Sequence, residues 1–453
     1  MKLSCLLLAL STIWSSFVLA GVTERVSLDS GGIESDDWSQ CPGISDDGRF
    51  VVFESFSTNL VPGDTNGTFD IFVHDRLTGT TERVSVASDG SEGNATSYAS
   101  NDHGPDISAN GRFVVFYSYA NNLVADDTNG VGDIFVRDRQ EGTTVRVSVA
   151  SDGSEGNGYS FEPAISGDGK FVVFQSFASN LVANDTNGFG DIYVHDLLAG
   201  TTERVSVATD GSEGTDNSYN GRISGDGRLI AFSSLASNLV AGDSNLYRDV
   251  FVHDRQTGTT QRMSVASDGS EANNWSLFPR ISANGRFVVF ASPASNLVSG
   301  DTNGQYDIFL RDRDTGTTER VSVASDGSQA NWFSYRADVS FDGRVIAFHS
   351  AATNLVDGDT NAHEDIFIHD RDTGVTERAS VASGGIQSDG KSLFPSVSSD
   401  GLVVAFHSFA GNLVDSDSNS EWDVFVREPQ QVIFMDGFES GDPSGWSAML
   451  DGG

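Results

Sequence analysis

The chain has 453 residues, with 27 Lys and Arg against 64 Asp and Glu, and a formal net charge of −37. This length exceeds one ordinary compact core unless the chain is a repeat array, and the excess of acid argues against nucleic acid as a partner, because phosphates would be repelled. The 49 glycines and the many aspartates suit turns rather than helices, whereas 30 phenylalanines suffice for a core and exclude a globally disordered chain.

The first segment, residues 1–20, has the pattern of a signal peptide. Lys2 precedes an apolar stretch that begins at Leu6, and Ala20 followed by Gly21 fits a small-residue cleavage site. We therefore expect export, to the periplasm or outside the cell, and no transmembrane segment after cleavage. A retained anchor is the alternative, although the apolar run is shorter than the ~20 residues of a membrane span. Cleavage would leave one cysteine, Cys41, which we expect to be a buried packing residue because it has no disulfide partner.

A repeat follows and continues to about residue 428. The isoleucine or valine that opens each unit recurs in steps of 63 residues once and 58 residues five times, and these seven positions are Ile44, Ile107, Ile165, Ile223, Ile281, Val339 and Val397. The longer step places a five-residue insertion in the segment 94–103. The chain therefore divides into a signal peptide at 1–20, a repeat domain at 21–428 and a tail at 429–453.

One unit predicts four strands, at residues 162–166, 171–175, 191–197 and 203–208. The Asp-Gly pair at Asp168 suits the tight hairpin between the first two strands. The run from Phe171 to Phe174 is apolar on both faces, which is typical of a strand in a sheet covered on both sides. Small four-stranded sheets covered by their own copies describe an all-β protein, a β-propeller of seven blades.

The phase of the repeat predicts how the ring closes. The segment from Thr23 to Ser27 reads as a fourth strand with no blade before it, and the segment from Asp423 to Val426 as a third strand with no fourth after it. We expect the N-terminal strand to complete the last blade, with Val26 and Leu28 pairing beside 423–426.

The repeat resembles the WD-like propeller repeat of the TolB-like proteins. The residues that carry this resemblance are the segment from Ile165 to Phe174 and the segment from Asp191 to Asp196, and the likeness covers about residues 22–428. It implies an exported propeller that acts mostly by binding other proteins, although relatives include propellers attached to peptidases. This chain departs from TolB in having seven units rather than six and no preceding helical domain, so TolB's role in envelope assembly is not implied.

Loops between blades, and between second and third strands, are long and differ among units. The inter-blade loops place aromatic side chains just before the innermost strands: Trp38, Tyr159, Tyr219, Trp275, Trp332, Phe333 and Tyr335. Exposed aromatics on one face would form a binding surface for a protein or a glycan. Alternatively, these rings fill the gaps between blades.

The loop before each third strand carries Asp-x-Asn-x-x-x-Asp. Its occurrences are Asp64, Asn66 and Asp70; Asp127, Asn129 and Asp133; Asp185, Asn187 and Asp191; Asp243, Asn245 and Asp249; Asp301, Asn303 and Asp307; Asp359, Asn361 and Asp365; Asp417, Asn419 and Asp423. Oxygen ligands at this spacing resemble the start of the calcium loops of dockerins and integrin propellers, which implies Ca²⁺ as a possible cofactor. Position five is not acidic and position twelve is not Glu, so the alternative is a network of Asx-turns.

Catalytic candidates are few. His349 and His407 occupy one repeat position in neighbouring units, where a metal or catalytic pair is less expected than packing between blades. The insertion carries Asp102 and His103, which are the best enzyme candidates that the sequence offers. We assign no catalytic residue.

The tail contains the segment from Asp436 to Asp442, which resembles the Asp-Gly-Phe-Glu-Ser-Gly-Asp segment of many exported proteins of Gram-negative bacteria. It is a sorting tag or a remnant of a longer module. Together these features predict an exported, monomeric, non-catalytic binding or scaffold propeller. The alternative is an extracellular hydrolase or lyase with its active site in the central cleft.

Overall fold

The computed structural model describes residues 21–98 and 104–428, together with the backbone of β1 (Phe17–Leu19) and β30 (Gln431–Ile433), which pair with each other. The described residues form strands and turns, arranged as seven antiparallel four-stranded sheets around one axis. The predicted all-β, seven-bladed propeller is confirmed.

The strands of each blade are given in order from the innermost to the outermost. Blades I to IV are β3 (Ser39–Ile44), β4 (Phe50–Ser55), β5 (Asp70–Asp75) and β6 (Thr80–Arg83); β7 (Asp106–Ile107), β8 (Phe113–Ser118), β9 (Asp133–Asp138) and β10 (Thr143–Arg146); β11 (Ser160–Ile165), β12 (Phe171–Ser176), β13 (Asp191–Asp196) and β14 (Thr201–Arg204); and β15 (Ser218–Ile223), β16 (Leu229–Ser234), β17 (Asp249–Asp254) and β18 (Thr259–Arg262). Blades V to VII are β19 (Leu277–Ile281), β20 (Phe287–Ser292), β21 (Asp307–Asp312) and β22 (Thr317–Arg320); β23 (Ser334–Val339), β24 (Val345–Ser350), β25 (Asp365–Asp370) and β26 (Val375–Arg378); and β27 (Ser392–Val397), β28 (Val404–Ser408), β29 (Asp423–Glu428) and β2 (Val22–Arg25).

The two middle strands of each blade form its core because both of their faces are covered. In blade I, Phe53 and Phe72 are fully buried and their rings stack with centroids 6.0 Å apart. Hydrophobic clusters then join neighbouring blades, so that no blade buries its apolar faces alone.

The hairpin between the first two strands needs glycine for two reasons. Gly111 has φ +70°, and a Cβ atom there would lie 2.1 Å from the ring of Phe50 in the preceding blade. Glycine at this turn therefore allows both the left-handed backbone of the hairpin and the close approach of an aromatic ring from the preceding blade.

The N-terminal strand closes the ring, as the repeat phase predicts. Val22 pairs with Glu428 and Arg25 with Phe425, and the N–H of Val26 donates to the carbonyl of Val424 at 2.8 Å. The expected pairing of Leu28 in this blade is wrong, because Leu28 forms a bridge with Glu34 instead. Within the described residues, no helix is long and apolar enough to cross a membrane.

Candidate functional site

The two ends of the ring differ in their surfaces. We call the end that carries the inter-blade loops and the loops between second and third strands the loop face, and the opposite end the turn face. Ten aromatic side chains are exposed among the described residues, and nine of them lie on the loop face: Trp38, Phe56, Tyr119, Tyr159, Phe177, Tyr247, Trp275, Trp332 and Phe409. An exposed aromatic surface on one face is a feature of binding sites.

The seven aromatic residues expected at this face behave in two ways. Trp38, Tyr159, Trp275 and Trp332 are 45%, 47%, 43% and 50% exposed. Tyr219, Phe333 and Tyr335 are half-buried. Tyr335 packs edge-on against Phe278 and Tyr306, with centroids 5.0 Å apart in both pairs, so this ring fills the seam between blades V and VI.

Sequence reasoning missed the aromatic residues that follow the second strands. Phe56, Tyr119, Phe177 and Phe409 occupy one repeat position directly after β4, β8, β12 and β28. The rings of Tyr119 and Tyr159 lie 6.5 Å apart and join blades II and III into one aromatic surface. The signal was available, because this position differs among units whereas the serine before it recurs in every unit.

The innermost strands line an axial channel, and most of them carry a β-bulge. At the bulge a non-glycine residue has a positive φ in six blades: Cys41 (53°), Glu162 (54°), Asn220 (57°), Phe278 (53°), Arg336 (44°) and Phe394 (53°). Gly104 takes this position in blade II, where a Cβ atom would lie 2.2 Å from the carbonyl oxygen of Cys41. A strained position that holds six residue types in seven blades is typical of a functional site rather than of the fold.

Two residues further along each inner strand lies a second ring of unlike residues: Gly43, Asp106, Ala164, Arg222, Arg280, Asp338 and Ser396. Charged members of this ring line an axial cavity of about 140 Å³ that opens among the hairpin turns of the turn face. Arg280 also lines the adjoining cavity toward the loop face, which Arg336, Phe278 and Phe394 border.

The acidic residues of the channel are held by backbone donors. Asp106 accepts from the N–H of Ile107 and from that of Ile165 in the next blade, at 2.9 Å each. Asp338 likewise accepts from the N–H of Val397 at 2.9 Å. Burial raises the pKa of Asp106, although these donors and the nearby arginines oppose the shift. The carboxylates therefore join neighbouring blades and keep fixed positions.

Glu162 holds its neighbour in the same way, since its carboxylate accepts from the backbone N–H and the side-chain amide of Asn220 at 3.0 Å each. Burial raises its pKa.

Arg336 of the inner strand β23 and Arg248, which precedes β17, contact aromatic rings. The guanidinium of Arg336 lies 3.6 Å from the ring centroid of Phe278 and 5.3 Å from that of Phe394, and the guanidinium of Arg248 lies 3.9 Å from that of Tyr219. Burial, together with the charges of Arg280 and Arg336, lowers the pKa of Arg222 to about 9.

The seven Asp-Asn-Asp loops converge on arginines that close the fourth strands. In blade III, Arg204 lies 3.3 Å from Asp185, 3.2 Å from Asp191 and 3.0 Å from Glu213, and Asn187 donates to Asp191 at 3.0 Å. The corresponding arginines are Arg25, Arg83, Arg146, Arg262, Arg320 and Arg378. We call these seven assemblies the arginine clusters.

In the arginine clusters, a guanidinium lies among the carboxylates that were expected to bind Ca²⁺. The guanidinium supplies the positive charge that we expected from the ion. Among the described residues, no group of three or more His, Cys, Asp or Glu side chains could hold a metal ion. Calcium binding in these loops stays a prediction, now with a competing cation in place.

Six of the histidines in the described residues are buried and packed within or between blades: His74, His195, His253, His349, His369 and His407. His74 and its repeat equivalents share a hydrogen bond with a threonine of the fourth strand, at 2.9 Å to Thr81 in blade I. His407 accepts from the N–H of Cys41 at 3.0 Å, and the ring of Phe394 lies between His407 and His349. Burial lowers the pKa of both His349 and His407 to about 3. Asp102 and His103, the candidates from the insertion, lie outside the described residues, as do residues 1–16, 429–430 and 434–453.

Comparison with known proteins supports the fold. No protein-family model matches the sequence, and no curated protein matches it. Among solved structures, oligogalacturonate lyase from Vibrio parahaemolyticus is similar over 91% of this chain and 98% of its own, with 12% identity and a TM-score of 0.52. A second oligogalacturonate lyase structure, in complex with manganese, is similar over 92% and 96%, with 11% identity and a TM-score of 0.54.

Two further solved structures match a large part of the chain. The β-propeller domain of the Trilobed protease from Pyrococcus furiosus matches 89% of this chain and 98% of its own, with 11% identity and a TM-score of 0.52. TolB from Acinetobacter baumannii matches 85% and 82%, with 16% identity and a TM-score of 0.39. At 11–12% identity, the likeness to the two lyase structures and to the protease domain shows the fold alone.

Proposed function

We propose that this protein is an exported binding propeller that captures a glycan or a protein on its loop face. The observation that carries the proposal is the concentration there of nine of the ten exposed aromatic side chains of the described residues. Large, rigid rings supply contact area at low entropic cost and are the usual anchors of binding surfaces. The turn face, with its repeated Asp-Gly turns, lacks such a surface among the described residues.

The second candidate is an extracellular hydrolase or lyase that acts in the axial channel. The observation that favours it is the asymmetry of the two axial rings, since catalysis needs one constellation unlike the other units. The solved lyases with a similar fold are consistent with this alternative without deciding it.

The proposal includes export. Residues 1–20 would act as a signal peptide and residues 429–453 as a sorting segment, and the mature propeller would be a monomer in the periplasm or outside the cell. Cell fractionation of the full chain, and of forms that lack either segment, tests these assignments.

The experiment for the main proposal is a binding screen of the propeller, residues 21–428, against glycan and protein arrays. Hits are then compared among the unchanged chain, the double variant Trp275→Ala and Trp332→Ala, and the control Leu198→Ala. Leu198 is 86% exposed but lies on the turn face. We expect the double variant alone to lose binding, and equal binding by all three proteins would contradict the proposal.

A further inference from the structure

We propose that the axial cavity at the turn face is a second binding site, which takes a small zwitterion such as a free α-amino acid. Two arginines at its inner end would hold the carboxylate of this ligand, and an aspartate and a phenylalanine at its mouth would hold the ammonium group. The site goes beyond the proposed function, because the cavity opens among the hairpin turns, at the opposite end of the ring from the loop face.

Arg222 is buried in the wall of this cavity with donors unused. Its side chain belongs to a residue that is 5% exposed, and within the described residues its one hydrogen bond goes to the carbonyl of Gly221 at 2.9 Å while its Nε has no acceptor. Each cluster arginine, by contrast, contacts carboxylates of its own blade, as Arg83 does with Asp64 at 3.1 Å and Asp70 at 3.2 Å. A buried donor without an acceptor is costly, so the unused donors of Arg222 call for an explanation.

Arg280 occupies the repeat position of Arg222 in the adjacent blade and lies at the inner end of the cavity. It also lines the adjoining cavity toward the loop face, and in the described segments it forms no ion pair. The charge of Arg280 contributes, after burial, to the lowered pKa of Arg222, so the two guanidinium groups repel each other. A carboxylate between them would offset both charges and fits the planar geometry of a guanidinium.

The acids of the same wall exclude a simple anion as the ligand. Asp106 and Asp338 line the cavity, but their carboxylates accept from backbone N–H groups of neighbouring blades at 2.9 Å each. An inorganic anion beside Arg222 would therefore also face two fixed negative charges, which would repel it. A ligand that carries both charges suits such a wall better than a ligand that carries either charge alone.

The mouth of the cavity supplies the partners for the positive end of the ligand. The hairpin turns place Asp46 of blade I and Phe341 of blade VI at one repeat position, where the other blades have alanine, glycine or serine. Burial and the charge of Asp106 raise the pKa of Asp46. An ammonium group at the mouth would offset this negative charge and contact the ring of Phe341, which is 48% exposed and is the one exposed aromatic residue of the described chain outside the loop face.

Backbone hydrogen bonds between blades fix the mouth. The N–H of Phe341 donates to the carbonyl of Ser399 at 2.9 Å, that of Ser399 to the carbonyl of Asp46 at 3.0 Å, and that of Asp46 to the carbonyl of Ala109 at 3.2 Å. These bonds join blades VI, VII, I and II, so the mouth residues keep their positions before a ligand arrives, which lowers the entropic cost of binding.

The size of the cavity limits the ligand. Its volume is about 140 Å³, and a protein cavity of about 150 Å³ is known to hold a molecule of benzene. The space therefore suits the smallest amino acids, such as glycine, alanine and serine, and excludes an oligosaccharide or a folded peptide.

The test is a calorimetric titration of the full chain at fixed ionic strength. The probes are glycine, alanine and serine, together with propionate, which is alanine without its ammonium group, and ethylamine, which is alanine without its carboxylate. We expect at least one amino acid to bind. Propionate and ethylamine should bind about tenfold more weakly than that amino acid or worse, because each lacks a group that would bond to a charged side chain.

Variants of the cavity locate the binding. Arg222→Gln and Arg280→Gln should each weaken the binding of the amino acid about tenfold or more. Asp46→Asn should weaken the binding of the amino acid but not that of propionate, which has no ammonium group. The matched controls Arg344→Gln and Asp372→Asn remove the same charges from exposed turn-face side chains outside the cavity, and both should leave binding unchanged.

The opposite results would overturn the site. These results are a failure of all three amino acids to bind, propionate or ethylamine binding as tightly as the amino acid, or effects of Arg222→Gln and Arg280→Gln no larger than that of Arg344→Gln. If Arg222→Gln does not fold, Arg280→Gln still decides, since Arg280 is less buried. The double variant Trp275→Ala and Trp332→Ala should bind the amino acid unchanged, and a loss of binding in that variant would place the site on the loop face instead.

Discussion

The closure of the ring by β2 can be tested with two pairs of matched variants. Arg25 and Val26 belong to the N-terminal strand, and Arg204 and Val205 occupy the same repeat positions inside blade III. Val26 is 1% exposed and Val205 is fully buried, and each valine packs between two blades. Arg25 lies 3.1 Å from Asp423 and 2.7 Å from Glu34, much as Arg204 lies near Asp191 and Glu213.

The expected costs follow from these contacts. A Val→Ala change removes two buried methyl groups and should cost about 2 kcal/mol at either site. An Arg→Ala change leaves a buried aspartate without its partner and should cost ~3–5 kcal/mol. Deleting residues 22–29 removes both side chains and the backbone hydrogen bonds of β2, each of which contributes about 1 kcal/mol.

The assay is chemical denaturation of the propeller, followed by tryptophan fluorescence. If the strand closes the ring, the variants at Arg25 and Val26 should be destabilised as much as those at Arg204 and Val205. Unchanged unfolding midpoints for the N-terminal variants, beside clear losses for the blade III variants, would refute the closure.

Three further predictions concern acid, aromatic residues and calcium. Burial raises the pKa of Asp249 and Asp307 to about 6, so each of these carboxyls binds more protons in the folded state than in the unfolded chain between about pH 4 and 6 and adds stability as the pH falls from 7 to 5. Burial also lowers the pKa of His349 and His407 to about 3, which removes stability over the same range, so the test compares the unchanged chain with Asp249→Asn: between pH 7 and 5 the melting temperature of the variant should rise less or fall more. Hydrogen bonds from Arg49 and Arg228 lower the pKa of Asp75 and Asp254, and the stability that these pairs contribute should be lost below about pH 4; an identical pH dependence of Asp249→Asn and the unchanged chain would contradict the role of Asp249. Replacing Trp275 or Trp332 with Ala should change the unfolding free energy by less than about 1 kcal/mol, since both rings are exposed, whereas losses of ~3–5 kcal/mol would show that they fill seams between blades. Because the arginine clusters already carry a cation, millimolar Ca²⁺ and Mg²⁺ should raise the melting temperature equally, by screening. A larger shift with Ca²⁺, together with one fewer bound Ca²⁺ ion in the double variant Asp185→Asn and Asp191→Asn, would show calcium loops instead.

The fold could be predicted because the same sequence pattern recurs in every unit. The spacing located the blades, and the unmatched strands at 23–27 and 423–426 predicted the closure. The bounds of the outer strand were less accurate: we expected residues 203–208, but β14 is Thr201–Arg204. The reason is that Ser206 turns toward Asp191 and donates to its carboxylate at 2.5 Å, which ends the pairing.

The arginine clusters could not be predicted from the loop motif alone. Asp185 and Asp191 are near each other in sequence, but Arg204 reaches them only because the hairpin from β13 to β14 folds back across the blade. Counting oxygen ligands within one loop therefore indicated a possible metal site but could not show that an arginine of the same blade lies between the carboxylates. The axial residues were missed for a related reason, since the bulges that turn Arg336 and Glu162 toward the channel change the alternation expected of a regular strand.

The arginine clusters and the axial channel use charge differently. A chain with 64 acidic residues offers abundant partners for arginine, and each of the seven cluster arginines contacts at least two carboxylates. Within the described residues, Arg222 and Arg280 form no ion pair, although Asp106 and Asp338 line the same axial cavity. Those two carboxylates accept hydrogen bonds from the backbone of neighbouring blades instead. Charge in the channel therefore joins the inner strands of adjacent blades, whereas charge in the clusters holds the outer loops of single blades.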